Sequence, residues 1–547
     1  MNISQYLLIR LKSLGVDHMF GIPGDYILPF FEEMMDSDVL HVAPCNELNG
    51  GYAADGYARL RGLGAITVTY GPGSFSLVNA IAGAYAERVP VVVISGGPPR
   101  QTYKTQPYLH HMLPHNFEAS MRIFEQITVD AQRLDDPETA TGQIDALLKS
   151  CLTKSRPVYL EFPLDLQRQT CSAPGPFELP RLTAGDEQAI KAAVQLVVDR
   201  VVRSERCVGL AGHEIHQARL QDKILALMEH TGLRVASMFT GKAEFLEHHP
   251  NCLGVYHGLG SPAPVREFVE SADTVLFLGA VPSDFNMGGA SAELAEKQGV
   301  HIFDGQVRTA ACSVANVRIG DVVAGLLDAL PEGACATADA PVQDFIHKAS
   351  NPYEPIADQP MSNSRFYDRL AHFFQGGDIV LADAGPSINM TFLQLPADSR
   401  YISSSYWASI GAGFGHALGA CFAAGPDQRV IALEGDGAFQ MTAQEISTMQ
   451  RYGKPAIIFV VNNKGYTAER LIHDGPFNDL QDWKYHRLPE VFGGVVGSDV
   501  HTEGDLEDAL ERAAAHTGPG PLVIEVHLDP WDVSEASAKM SEGLRSR

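Results

Sequence analysis

One stretch constrains this 547-residue chain more than any other, Arg429 to Asp474, RVIALEGDGAFQMTAQEISTMQRYGKPAIIFVVNNKGYTAERLIHD. The apolar run Val430–Leu433 ends in Gly435-Asp436-Gly437, and the spacing predicts a helix after it. Thr442, three residues before Glu445, predicts a capping box, and Gly453 and Pro455 predict the helix end. A second buried strand, Ala456–Val461, ends in Asn462-Asn463. A strand–helix–strand unit of this kind makes the two strands parallel and sets their C-terminal ends side by side. Asp436 and Asn463 are then two hard oxygen donors at one rim, suited to Mg²⁺ shared with phosphate oxygens. The amides of Gly437 and Ala438 open the helix and can face a diphosphate.

A plain glycine turn would explain Gly-Asp-Gly alone. Gly-Asp-Gly, a helix-length gap and Asn-Asn at a strand end together resemble the thiamine diphosphate binding motif. The continuation NNKGYTAERLIHDGPFND is similar to the pyruvate, indolepyruvate and phenylpyruvate decarboxylase branch of that superfamily. The resemblance runs from Ser4 to Met540.

The length is too great for one core and predicts several domains. Alternating helix and strand signals predict an α/β protein of three doubly wound, mostly parallel-sheet domains, at 1–170, 187–330 and 361–547. The segments Thr170–Asp186 and 331–360 read as linkers. The first and third domains repeat one plan. AITVTYGPGSFSLVNAIAGAYAERVPVVVISGG matches RVIALEGDGAFQMTAQEISTMQRYGKPAIIFVVNN in the order strand, GxGxF, helix, Pro, strand. In the first copy Pro72 replaces the aspartate and Ser95-Gly96 the asparagines, so that copy lacks the metal donors. The resemblance implies that it holds the aminopyrimidine end of the cofactor.

Net charge is −25, from 41 basic and 66 acidic residues, which disfavours nucleic acid and anionic membrane as partners. Eight cysteines without CxxC pairing argue against zinc sites and disulfides and fit a reducing, cytoplasmic setting. The N-terminal apolar run is cut by Arg10 and Lys12, so it predicts an amphipathic helix over 4–14 and not a secretion signal. In the middle domain Gly209-Leu210-Ala211-Gly212 is only a partial dinucleotide turn, and no phosphate fingerprint is read there.

The resemblance implies roles for named residues. Asp436, Asn463 and the Gly465 carbonyl would hold Mg²⁺, with Gly437, Ala438, Tyr466, Thr467 and Ser387 along the cofactor. Ile410 would be the apolar wedge that bends the cofactor, and the Ala408 carbonyl would meet its 4′-amino group; plain core packing is the other reading of Ile410. Glu47 would protonate N1′, against the alternative of a helix-start glutamate favoured by the dipole. Asp25, His110, His111 and Glu469 match the acid–base set of the decarboxylases, although a Pro-flanked His-His is often only a solvent-exposed loop. His111 and His115 stand four apart, without an evident third metal ligand.

Pro386 departs from the family pattern. It removes a backbone donor and a side-chain acceptor near the diphosphate and leaves that contact to Ser387. Phe285, Ile388, Ala468 and Ile472 fall at the substrate pocket. Ala468 and Ile388 stand where pyruvate-preferring relatives carry larger residues, which implies aromatic or long, branched 2-oxo acids as substrates. The activity implied is non-oxidative decarboxylation to an aldehyde and CO₂. A carboligase, a pyruvate-preferring decarboxylase and a non-catalytic binding protein are the other readings. The family's pairing of Glu47 with the metal half-site across a subunit interface implies a homodimer or homotetramer.

Overall fold

The computed structural model describes residues 1–180, 182–337, 343 and 345–545. Parts of both expected linkers (181, 338–342 and 344) and the last two residues lie outside them.

Three sheets follow one another along the chain. The first is built from β1 His18–Gly21, β2 Leu40–Val42, β3 Gly64–Val68, β4 Val91–Gly97, β5 Asp130–Arg133 and β6 Val158–Pro163. The second holds β7 Cys207–Ala211, β8 Arg234–Met238, β9 Cys252–Tyr256, β10 Thr274–Leu278, β11 Gly299–Phe303, β12 Gln306–Arg308 and β13 Ser313–Ala315. The third holds β14 Ile379–Ala382, β15 Arg400–Ser403, β16 Val430–Gly435, β17 Ile457–Asn462, β18 Ser498–Val500 and β19 Leu522–His527. The first sheet has strand order β2-β1-β3-β4-β6-β5 and the third β15-β14-β16-β17-β19-β18. These are one topology, position for position, and every pair in both is parallel. The repeat read from the sequence is therefore a repeat of fold. The middle sheet is mixed, because the short strands β12 and β13 add antiparallel at its edge.

The helices that matter here are α1 Ile3–Ser13, α2 Glu47–Arg61, α3 Ala384–Thr391, α4 Ala412–Ala423, α5 Asp436–Thr442, α6 Ile446–Arg451, α7 Thr467–Ile472 and α8 Glu535–Arg545. Helix α1 begins with a capping box between Asn2 and Gln5 and buries Leu7, Leu8 and Leu11. No helix of the described residues is long and apolar enough to cross a membrane.

The first and third domains share one apolar core, running from Phe20, Ile66 and Val93 to Phe414, Ile458 and Val523. Helices α2 and α4 meet in it at backbone distance. A Cβ on Gly56 would overlap the His416 backbone, and one on Gly419 the Ala53 carbonyl. Close helix approach through small residues is what the run NGGYAADG supplies, while Ala53, Ala54 and Ala58 keep the face apolar. A buried polar cluster lies beside this contact. Arg59 donates to Asp55 at 2.6 Å and to Glu87 at 2.6 Å, and His416 Nε2 lies 3.1 Å from Asp55.

One local expectation fails. The capping box at Thr442 and Glu445 does not form, and the helix after β16 is not continuous. It starts at once, at Asp436, breaks after Thr442 through a short 3₁₀ turn and resumes as α6. Thr442 Oγ1 instead donates to the Gly411 carbonyl at 2.9 Å. The buried Glu445 carboxylate accepts from Cys45 N, Asn49 Nδ2 and Thr448 Oγ1 at 2.7–2.9 Å. Two of those partners belong to the first domain, so tertiary hydrogen bonds displace the local cap.

Candidate active site

The rim of the third sheet carries the site. β16 and β17 pair in parallel with Gly435 opposite Val461, so Asp436 and Asn463 follow at adjacent strand ends. Ligands of open α/β sheets bind in this crevice. The Asp436 carboxylate is buried, with Oδ1 accepting from Gly437 N at 2.7 Å and Oδ2 from Gly465 N at 3.0 Å. Burial pushes its pKa up to about 6 against the pull of those N–H groups. A desolvated carboxylate of this kind is short of positive charge.

Gly465 has φ +148°, and a Cβ there would overlap the Asn478 carbonyl and the Arg470 guanidinium. Arg470 is itself buried and was not anticipated. It donates to the carbonyls of Asn463 (3.2 Å) and Lys464 (2.7 Å) and to Asp479 (2.9 Å), which fixes the turn after β17. Nothing in its i, i+1 neighbourhood marks Arg470 in the sequence, because two of its partners are backbone oxygens and the third, Asp479, stands nine residues on.

A cavity of about 250 Å³ opens above this rim. Its lining includes Ser387, Ala408, Ile410, Asp436, Gly437, Ala438, Asn463, Gly465, Tyr466 and Thr467, and also Phe285, Ile388, Ala468, Glu469 and Ile472. Every site residue expected from the middle and third domains therefore borders one space. Carboxylate, amide and carbonyl oxygens at its floor are a donor set that suits Mg²⁺ with phosphate oxygens. Gly437 faces the Tyr466 ring so closely that a Cβ would overlap it. The sequence reading missed Phe239, stacked on Phe285 with centroids 6.1 Å apart, and Met540 and Leu544 of α8, which also line the cavity. Their spacing in the sequence is that of ordinary core and amphipathic-helix residues.

Ile410 is 38% exposed and borders the cavity, so it is not a packed core residue. Its loop is held at both ends. The Glu87 carboxylate of the first domain accepts from Ser404 Oγ, Tyr406 N and Trp407 N at 2.8–3.1 Å. Asp383 Oδ2 accepts from Gly411 N and Gly413 N at 2.9 and 2.8 Å. Ala408 stands in this loop at φ +56°, a left-handed conformation that favours glycine. Beneath it the Glu434 carboxyl is fully buried with neither oxygen partnered. Burial, reinforced by Asp383, pushes its pKa far up.

Pro386 is accommodated more simply than expected. Asp383 caps α3, so Pro386 falls in the first helical turn, where a backbone N–H would have no intrahelical partner. Ser387 Oγ donates to the Ala384 carbonyl at 2.7 Å, within the same turn, while the residue borders the cavity.

The first-domain residues form a separate group. Asp25 Oδ2 lies 2.7 Å from His110 Nε2, and His111 Nδ1 lies 4.0 Å from Asp25 Oδ1. Tyr26 stacks on the His110 ring at 5.3 Å. His115 turns instead to Tyr108, 3.4 Å away, and does not join His111. Glu47 opens α2 behind the cap Asn46 and faces the Gly73 turn. None of Asp25, Glu47, His110 and His111 borders the cavity over Asp436.

Three similar-sized α/β domains, two of one topology, with hard oxygen donors at a sheet rim, define an enzyme that holds a diphosphate cofactor. Comparison with known proteins makes the class specific. Residues 1–121 match the thiamine pyrophosphate enzyme N-terminal TPP binding domain, 194–322 the central domain and 384–526 the C-terminal TPP binding domain. An alpha-keto-acid decarboxylase of Mycolicibacterium paratuberculosis is 36% identical over 526 residues, covering 94% of this chain and 92% of that one. One from Mycobacterium tuberculosis is 35% identical over 526 residues, covering 94% and 92%. A pyruvate decarboxylase of Aspergillus fumigatus is 32% identical over 560 residues, covering 100% and 97%. The chain belongs to the thiamine diphosphate-dependent 2-oxo acid decarboxylase family.

Proposed function

We propose that this decarboxylase acts on aromatic or long, branched 2-oxo acids in preference to pyruvate, releasing an aldehyde and CO₂, with its thiamine diphosphate anchored through Mg²⁺. The observation that carries this reading is the make-up of one cavity. Oxygen donors at Asp436, Asn463 and Gly465 share it with an apolar wall of Phe239, Phe285, Ile388 and Ile472, and with the small side chain of Ala468 beside Glu469.

Each residue then has a task. Asp436, Asn463 and the Gly465 carbonyl hold the metal, and the amides of Gly437 and Ala438 receive the diphosphate. When bound, thiamine diphosphate supplies the electron sink for the pair left by departing CO₂. Ile410 would give the cofactor an apolar support from this loop, and the Ala408 carbonyl would accept from its 4′-amino group. Glu47 holds a proton at N1′. Asp25, His110 and His111 move protons to and from the substrate carbon and oxygen. Glu469 stands beside the substrate carboxylate in a water-poor site, where a charged carboxylate is disfavoured relative to neutral CO₂.

Because Glu47, Asp25 and the His pair lie off the cavity in one chain, we infer that the working site joins two copies, the first domain of one facing the third domain of the other. The smallest functional unit is then a homodimer, and a homotetramer is a pair of these.

The test is purified protein with thiamine diphosphate, Mg²⁺ and a panel including pyruvate, 4-methyl-2-oxopentanoate, phenylpyruvate and indolepyruvate, scored for CO₂ and aldehyde. Higher kcat/KM on pyruvate than on all the larger acids sinks the preference. A 2-hydroxy ketone as main product without added aldehyde would point to a carboligase.

A further inference from the structure

The apolar wall of the cofactor cavity is interrupted at one place. Asn389 follows Ile388 on α3 and borders the same space, together with Asn363 and Tyr367 of the helix Asn363–Ala371 and with Asp532. Three short links bring these four together. The Asn363 backbone N–H donates to Asp532 Oδ2 at 2.7 Å. Tyr367 follows Asn363 by four residues and shares its helix face. Asn389 is the neighbour of Tyr367. Burial pushes the Tyr367 hydroxyl above its usual pKa, and the Asn389 side chain pulls it the other way, as an amide N–H beside a phenol oxygen does. Helix α8 packs on both α3 and α7 and covers the space between them.

Asn389 is only 7% exposed, and its Oδ1 has no hydrogen-bond partner among the described residues. The other polar side chains of α3 on this stretch are satisfied within the helix. Ser387 Oγ donates to the Ala384 carbonyl at 2.7 Å and Thr391 Oγ1 to the Ser387 carbonyl at 2.8 Å. The neighbours of Asn389 in the chain, Ile388 and Met390, are buried and apolar. A leucine would fill a similar volume without leaving a buried acceptor unpaired, so packing alone does not account for the amide. A carboxamide keeps nearly the same shape with its oxygen and nitrogen exchanged, so a half-turn about its last bond presents either atom to the cavity. A ligand hydroxyl both donates and accepts. It pairs with the amide in either orientation, and with the Tyr367 hydroxyl beside it.

We propose that Asn389, with Tyr367, is a specificity-determining residue that selects 2-oxo acids bearing a hydroxyl on an aromatic side chain, the hydroxyphenyl class, over the plain phenyl acid. The ring lies against the apolar wall of Phe285, Ile388 and Ile472, and its hydroxyl meets the Asn389 amide and the Tyr367 hydroxyl. The phenyl acid fills the same wall but leaves the amide unpaired, and a site built to pair a substrate hydroxyl discriminates against an analogue without one. This rests on the cavity being the substrate pocket, as proposed above, and names the class of aromatic acid that it takes.

The experiment uses the full chain with thiamine diphosphate and Mg²⁺ and measures kcat/KM for phenylpyruvate, 3-hydroxyphenylpyruvate, 4-hydroxyphenylpyruvate and pyruvate, in wild type and in Asn389→Leu. The wild type is expected to favour the better of the two hydroxylated acids over phenylpyruvate by about tenfold or more. In Asn389→Leu that ratio should fall by about 10- to 100-fold, and kcat/KM for phenylpyruvate itself should rise, because the unpaired amide is gone. Structural damage would instead lower both acids together. Should Asn389→Leu not fold, Tyr367→Phe, which removes a single hydroxyl, should lower the same ratio by about tenfold. A wild type that favours phenylpyruvate over both hydroxylated acids overturns the proposal, as does a ratio that the variant leaves unchanged. Pyruvate surpassing all three would sink the size preference of the cavity, while the ratio among the aromatic acids still decides the role of Asn389.

Discussion

The Asp436 carboxylate accepts the backbone N–H of Gly465 at 3.0 Å, across the ends of two parallel strands. That bond joins the first residue of α5 to the turn before α7, and sets a buried carboxylate beside the carbonyl expected to share its metal. Arg470 braces the same turn from behind through the carbonyls of Asn463 and Lys464. The rim is thus rigid before any cofactor enters, which limits the ordering cost of binding.

Asp436→Ala should weaken thiamine diphosphate binding in Mg²⁺ by roughly 100-fold, about 2.7 kcal/mol. The cofactor-free variant should fold at least as well as wild type, since the cost of burying that carboxylate exceeds what the Gly437 and Gly465 N–H groups return. Cofactor titration followed by tryptophan fluorescence, with thermal melts of the apo proteins, checks both halves. Undiminished affinity would remove Asp436 from the metal site.

Glu47→Gln should keep the fold and most of the cofactor affinity and lower turnover by about 10²–10⁴-fold, the range for a lost proton-transfer group. The direct readout is exchange of the cofactor C2 proton in D₂O, and near-normal exchange in the variant contradicts the role.

Mixing inactive Glu47→Gln with inactive Asp436→Ala should restore activity. If each site takes its first-domain and third-domain halves from different chains, random pairing of equal amounts makes half of the dimers mixed, and each mixed dimer carries one intact site. A chain that is fully active as a monomer at high dilution would exclude shared sites.

Ala468→Ile should shift preference toward small 2-oxo acids. Three added carbons intrude on the space beside Glu469, at roughly 0.8 kcal/mol for each substrate CH₂ no longer buried. The ratio of kcat/KM for phenylpyruvate over pyruvate should fall by about one to two orders of magnitude. An unchanged ratio means that neighbouring side chains already fill that space.

Asp55→Asn tests the contact between the first and third domains. Burial opposes ionisation of Asp55, but Arg59 and then His416 outweigh it and hold its pKa down to about 2. A carboxyl depressed in the folded state contributes stability that is complete above its unfolded pKa, near 3.9, and is lost as pH falls toward 2. The shift corresponds to about 2–3 kcal/mol. The variant should melt several degrees below wild type at pH 7, with the gap closing between pH 4 and pH 2. A gap that stays constant across that range would assign the loss to packing alone.

Much was legible in the chain itself. Apolar runs ending in Gly-Asp-Gly and Asn-Asn are local signals, and parallel pairing of β16 and β17 follows from the chirality of one crossover. The matching order of turns and prolines at Pro72–Pro90 and Asp436–Pro455 was enough to predict that two domains share a plan, and their strand orders are the same. These features depend on residues near in sequence, whose steric and hydrogen-bonding preferences act before the rest of the chain is placed.

Only the tertiary structure decided the remainder. Thr442 and Glu445 have the spacing of a cap, yet Glu445 is satisfied by Cys45 and Asn49, about 400 positions away. Arg470 braces the rim through backbone oxygens that have no residue signature. The loop of Ile410 is held from another domain by Glu87. Asp499 meets His527 because two strands lie in one register. A buried polar group must find partners wherever packing provides them. Residue order sets which elements form, and the packing of those elements sets which distant side chains share a site.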